Sequence, residues 1–150
     1  LYRRTLYTFW RRATPPTMLF DVASRQQCKV RPSRTNTPLH ALIMFNETGY
    51  VESARNFAQR VMSTEKEPAA RLNLAFRTAT CRRPTADETA TMLKVMKDVQ
   101  AKFKTDAEKT KAYLTTGESK ADEKYEPLEL ATYSAMCHIL LNLDETITRE

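Results

Sequence analysis

Only two glycines, Gly49 and Gly117, occur in the 150 residues. Hairpin turns that require φ > 0 draw mainly on glycine, because a β-carbon clashes there. A chain with two glycines has no means of closing a series of hairpins. Val and Ile are also few, whereas Ala, Leu, Met, Lys, Glu and Arg, the strong helix formers, are plentiful. The composition therefore dictates an all-α fold. At this length one domain is expected, able to bury roughly two thirds of its unfolded surface. The same scarcity removes every Gly-rich phosphate cradle and the G-x-S-x-G turn, and with them the nucleotide enzymes and hydrolases built on those motifs.

Periodicity and punctuation divide the chain. A first helix over about residues 2–12 ends at Pro15-Pro16, since proline neither donates to a helix nor tolerates helical geometry before it. Met18, Leu19 and Phe20 form an apolar anchor, and Asp21 is a plausible N-cap for a short turn. The chain then reads as loop up to Thr37, and a loop of that length inside a compact domain is usually functional or an interface. Thr37 and Pro38 start the next helix, with Pro38 at the position where a missing N–H costs nothing. Leu39, Leu42, Ile43 and Phe45 are assigned to its apolar side, with Leu39 and Leu42 as core.

After a break at Asn46–Gly49, the residues Tyr50, Val51, Ala54, Phe57, Ala58, Val61 and Met62 follow the i, i+3, i+4, i+7 rule, the best amphipathic stripe in the sequence. A polar linker, "STEKEP", precedes a helix marked by Leu72, Ala75, Phe76 and Ala79, for which Pro84 is the expected stop. Thr85-Ala-Asp-Glu88 is a capping box. The helix it opens runs to about Phe103 on Leu93, Met96 and Val99, with acids early and lysines late as the helix dipole favours. A short helix around residues 106–115 is expected to stop at Gly117, followed by an exposed loop. The last helix, Pro127 to about Asn142, has almost no polar face and belongs in the middle of the bundle. About five to six helices, arranged as an irregular bundle behind a long basic N-terminal loop, are expected.

Charge is unevenly distributed. Residues 1–38 hold Arg3, Arg4, Arg11, Arg12, Arg25, Lys29, Arg31 and Arg34 against Asp21 alone, a net +7, and the remaining 112 residues sum to −1. Such a stretch suits an acidic neighbouring domain, an anionic polysaccharide or nucleic acid. Arg3, Arg4, Arg11 and Arg12 interleave with Tyr7 and Trp10, a candidate docking face. In such patterns the ring is normally buried and the arginine reaches past it to water. Arg25, Arg31, Arg34 and Asn36, joined by Asn46, are the candidate anionic-ligand or interdomain surface, because guanidinium forks grip carboxylate, sulfate or phosphate.

The remaining chemistry-bearing residues point to no catalytic centre and no metal site. His40 and His138 lack any ligand spacing, and His138 lies in the most apolar helix, where a hydrogen-bonded core role is the ordinary one. Cys28, Cys81 and Cys137 form no CxxC and no CxxCH, so zinc-knuckle and haem-attachment motifs are absent. Acids are assigned to solvent faces, with Asp144-Glu145 as a C-terminal charged rim. No run reaches the roughly 18 apolar residues of a membrane span. The chain opens "LYRRTLYTFWRR", without an initiator Met and within helix-forming sequence, and reads as a fragment or processed product.

The segments "YRRTLYTFWRRATPPTMLFDVASRQQCKVRPSRTNTPLHALIMFN", "LAFRTATCRRPTADE" and "LLNLDETITRE" resemble the C-terminal domain of planctomycete secreted proteins known as the domain of unknown function numbered fifteen fifty-three. The resemblance implies an extracytoplasmic location and a place at the end of a longer chain that often carries a c-type cytochrome domain. It implies no activity and no cofactor for these residues; haem c, where present, would belong upstream. Three positions depart from the family pattern: His40 replaces a Gln and leaves half a capping box, Cys81 replaces a helix-stopping Gly, and Glu47-Thr48 replaces Asp-Pro. The expected function is an accessory interaction module whose partners are the upstream domains of the same precursor or another chain. The alternative is part of an enzyme acting on anionic polysaccharide, in which Arg and Asn residues line a cleft; nucleic-acid binding is not expected of an exported domain.

Overall fold

The computed structural model describes residue 30 and residues 37–147. The chain divides into two compact units, Leu1–Ile43 and Met44–Glu150. The expected first helix, the aromatic and basic face of Arg3, Arg4, Tyr7, Trp10, Arg11 and Arg12, and the cluster Arg25, Arg31, Arg34 and Asn36 lie outside the described residues. Among the described residues the structure is all helix and turn: α1 (Pro38–Asn46), α2 (Thr48–Thr64), α3 (Pro68–Thr80), α4 (Ala86–Thr105), α5 (Ala107–Leu114), α6 (Pro127–Leu141) and the single turn α7 (Asp144–Ile147). The all-α expectation holds, and α7 is one turn more than the sequence suggested.

α6 is the hub. It packs most extensively on α2, then on α4, α5 and α3, and its Leu130, Ala131, Tyr133, Met136, Cys137 and Leu140 are all buried. A helix contacted on several sides needs no polar face, and the near-continuous apolar run of this segment is the result. Its two small hydroxyls bond back to their own helix, Thr132 Oγ1 to Leu128 O at 2.7 Å and Ser134 Oγ to Leu130 O at 2.7 Å. Neither is left with an unsatisfied donor in the core. From α2, Ala54, Phe57, Ala58, Val61 and Met62 join the same buried cluster, and Val51 is buried as well, as the periodicity requires.

The helix ends follow local chemistry. The capping box forms in full: Glu88 N–H donates to Thr85 Oγ1 at 3.2 Å and Thr85 N–H to Glu88 Oε2 at 2.7 Å. At α1 the half box is present, with His40 N–H donating to Thr37 Oγ1 at 3.3 Å. Glu47 caps α2, its carboxylate accepting Tyr50 N–H at 3.1 Å, so the start of this helix is well defined.

Three expectations need correction. α3 ends at Thr80, not at Pro84: Cys81 takes the left-handed conformation at φ 64°, with its N–H on Arg77 O at 3.0 Å, and closes the helix as a glycine would. α5 ends at Leu114, capped by Thr115, so Gly117 stops no helix. On α1, Leu39, Leu42 and Phe45 are 49%, 58% and 43% exposed, and of its apolar residues only Met44 is buried. α1 is apolar around its whole circumference, so its sequence carries no signal for which side faces the core.

Candidate functional site

The most concentrated polar chemistry among the described residues lies between α2 and the segment 114–125. Glu52, Arg55, Asn56 and Gln59 recur at i, i+3, i+4 and i+7, which places them along one flank of α2. All four reach the same loop. Arg55, only 1% exposed, donates through Nη1 to Leu114 O at 2.7 Å and Thr116 O at 2.6 Å, and through Nη2 to Ser119 O at 2.5 Å and Ser119 Oγ at 2.9 Å. Glu52, 6% exposed, accepts from Glu118 N–H at 3.2 Å and Ser119 N–H at 2.6 Å. The two charges stand 4.0 Å apart.

Further along the flank, Asn56 Nδ2 donates to Ser119 Oγ at 3.2 Å and Gln59 Oε1 accepts Asp122 N–H at 2.6 Å. Tyr125 closes the series by donating its hydroxyl to Gln59 O at 3.1 Å.

This arrangement gives irregular backbone the partners that a helix or sheet would otherwise supply. The carbonyls of residues 114, 116 and 119 point at one guanidinium, and the amides of 118 and 119 at one carboxylate. Buried backbone groups must be paired, and a planar five-donor guanidinium can serve several carbonyls at once where a lysine could not. Gly117 makes the approach feasible. Its φ is +98°, and a β-carbon there would lie 2.5 Å from Glu52 Oε2 and 2.7 Å from Glu52 Cδ. The loop expected to be solvent-exposed is thus a strap held down by α2, and the acids expected only on solvent faces include one that is buried.

Beneath the strap a groove of about 730 Å³ opens, bounded by the last turn of α4, by α5 and by the first turn of α6. Phe103, Leu114, Ala121 and Leu128 supply apolar lining, with Lys104, Lys111 and Lys120 beside it. A second, smaller groove of about 330 Å³ between α3, α4 and α6 is lined by Phe76, Met92, Met136 and Leu140.

Elsewhere the titratable groups of the core are structural. His138 is buried, and its Nε2 lies 2.9 Å from Met44 O, with the Phe45 ring centroid 5.0 Å away. A carbonyl only accepts, so Nε2 carries the proton. Burial lowers the His138 pKa, and the Met44 hydrogen bond partly opposes this. Cys137 is a free thiol within the core, pushed up to about 12 by burial; Cys81 is free and exposed. Arg82 lies over the Phe76 ring at 4.8 Å, with Nη2 2.6 Å from Glu88 and Nε 2.6 Å from Glu145. The charged rim at the C-terminal end is therefore tied to the capping box. No group of three or more metal-ligating side chains occurs among the described residues, and no described helix is long and apolar enough to cross a membrane.

Of the candidate docking-face and anionic-ligand residues read from the sequence, Asn46 alone falls in the described part, exposed at the end of α1. It is not among the residues of the strap or of the two grooves. The pair that sequence reading missed, Glu52 and Arg55, had a legible signal: Arg55 lies four residues after Val51 and three before Ala58, inside the apolar stripe. A lone arginine in such a stripe demands a buried set of acceptors.

No curated protein and no solved structure matches the chain. The family model described as PSD1, protein of unknown function (DUF1553), matches residues 1–96, which takes in α1, α2, α3 and half of α4 and leaves the strap and α6 beyond the match. With more than half of its length covered, the chain belongs to the DUF1553 family.

Proposed function

We propose that the chain is an accessory interaction module, without a catalytic centre of its own, that docks through its basic N-terminal quarter on an acidic neighbouring domain of a larger extracytoplasmic protein. The observation that carries this reading is the segregation of charge, eight basic residues against one acid in residues 1–38 and near neutrality thereafter. Fields of one sign on one part of a surface steer and orient partners of the other sign. α1, directly after that stretch, leaves Leu39, Leu42 and Phe45 exposed, which adds apolar area of the kind that marks interaction surfaces. In support, the buried polar side chains Glu52, Arg55, Thr110 and His138 are engaged in holding helices and strap together, and Thr132 and Ser134 are engaged within α6. A c-type cytochrome domain is the neighbour suggested by the family resemblance, and haem would reside there.

The test compares the 150-residue chain alone with the same chain expressed behind the domain that precedes it in its precursor. Light scattering should show aggregation of the first and a monodisperse second. Arg25→Glu with Arg31→Glu and Arg34→Glu should release the module after proteolysis of the junction. A chain that is monodisperse alone and binds sulfated glycan, with loss of binding in Arg31→Ala/Arg34→Ala, would instead establish the polysaccharide alternative.

A further inference from the structure

The groove beneath the strap has the size and lining of a small-molecule site. Ligand pockets typically run to several hundred Å³, with apolar walls and few polar groups, and this one has about 730 Å³ with Phe103, Leu114, Ala121 and Leu128 among its lining. Its outer wall is built before any ligand arrives. Gly117 and Ser119, which line the groove, are fixed from behind by Glu52 and Arg55. A preformed wall spares a ligand the cost of ordering a loop. The inner wall has no free hydroxyl to offer, since Thr110 Oγ1 already donates to the carbonyl pair Phe103 O and Asp106 O, each at 2.9 Å.

Charge distinguishes the two walls. From α4 and α5 the only charged residues lining the groove are Lys104 and Lys111. The strap side is mixed, with Glu118, Lys120 and Glu123. Glu126, at the boundary, is engaged as the α6 cap, accepting Glu129 N–H at 2.7 Å. The complementary ligand carries negative charge at the α4–α5 wall and apolar substance beneath the strap. The geometry points to an amphiphilic carboxylate, a linear alkyl chain with one anionic head, bound with its chain along Phe103, Ala121 and Leu128 and its head between Lys104 and Lys111. This inference is independent of the docking role proposed for the N-terminal quarter. The residues lining the groove all lie beyond the family match, whereas Glu52 and Arg55, which fix the strap from behind, lie within it.

The experiment titrates the chain, expressed together with the domain that precedes it in its precursor, with decanoate by calorimetry at low salt, with 1-decanol as the uncharged counterpart. Saturable binding of decanoate is expected. Binding of decanol should be about fivefold weaker, the scale set by exposed ion pairs. Lys104→Glu with Lys111→Glu, both solvent-facing, should weaken decanoate by at least that factor and leave decanol unchanged. Ala121→Trp, which fills the groove, should abolish both; backbone amide shifts at Phe103, Leu114 and Leu128 on titration give the same answer without depending on that variant. Equal affinity for decanoate and decanol would overturn the anionic head. Decanoate binding that survives both sets of substitutions would place it elsewhere on this basic chain and overturn the site.

Discussion

α2 presents two faces that do opposite work. One is the apolar stripe, Val51 to Met62, shared with α6; the other is the flank Glu52, Arg55, Asn56 and Gln59 that holds the strap. On the first, stabilisation is spread over many weak contacts, each replaceable by a neighbour of similar volume. On the second it is concentrated, because removing one partner leaves buried carbonyls or a buried charge without compensation. The comparison teaches where this fold is redundant and where it is brittle.

Arg55→Ala is the largest expected break. It removes four hydrogen bonds and leaves Glu52 buried beside bare carbonyls, and such losses cost about 3–5 kcal/mol. Leu130→Ala, on the apolar side and 1% exposed, should cost about 2–5 kcal/mol by cavity formation. Urea denaturation measures both totals, but hydrogen exchange separates their character. In Arg55→Ala the amides of residues 116–122 should lose protection well ahead of α2 and α6. In Leu130→Ala all of these should fall together. Parallel loss in both variants would erase the distinction between the two faces.

Gly117→Ala tests the same flank from the loop side. A β-carbon meets Glu52 at 2.5 Å and the φ of +98° is strained for any L side chain, so destabilisation of about 2 kcal/mol is expected. Adding Glu52→Ala should remove the contacts with Oε2 and Cδ and leave the backbone part together with the contact to the remaining β-carbon at 2.9 Å. A double-mutant cycle in urea would then show coupling between the sites, and strict additivity would mean that the close approach is absent in solution.

The two faces were not equally legible in the sequence. Periodicity finds Val51, Ala54, Phe57, Ala58, Val61 and Met62 because apolar burial depends on spacing along one helix. It also finds α6, whose composition allows only a central position. The strap depends on pairing across about 60 residues of chain, Arg55 with Ser119 and Gln59 with Asp122, and no local pattern encodes which carbonyls a guanidinium will meet. α1 failed for another reason: Leu39 and Leu42 lie on a helix apolar all round, where burial is decided by what happens to pack against it.

Cys81 gives a smaller and opposite effect. It bears a left-handed φ of 64°, which costs a residue with a β-carbon about 1–2 kcal/mol. Glycine would relieve it, less the extra freedom it gives the unfolded chain. Cys81→Gly should therefore stabilise by about 0.5–1 kcal/mol, read as a higher urea midpoint. A fall would show that the Cys81 side chain contributes more than its backbone strain removes. The site lies at the end of α3, outside both faces of α2, and so reports how far local strain adds to the contrast between them.

The smallest expected effect concerns the one imidazole in the apolar half. Burial places the folded pKa of His138 below its unfolded value of 6.5, so protonation favours the unfolded chain. Its contribution is fully present above that unfolded value and declines as pH falls through it toward the folded pKa. The acid window of Glu88 is separate: Arg82 and the Thr85 amide hold its carboxyl down to about 2, so that contribution is lost only as pH falls from about 4.5 toward about 2. The urea midpoint of the natural chain should thus fall between pH 7 and pH 5, whereas His138→Gln, which retains a donor for Met44 O without a titrating proton, should be flat there. A slope that persists in His138→Gln would move the pH dependence out of the α2–α6 core and onto the polar flank.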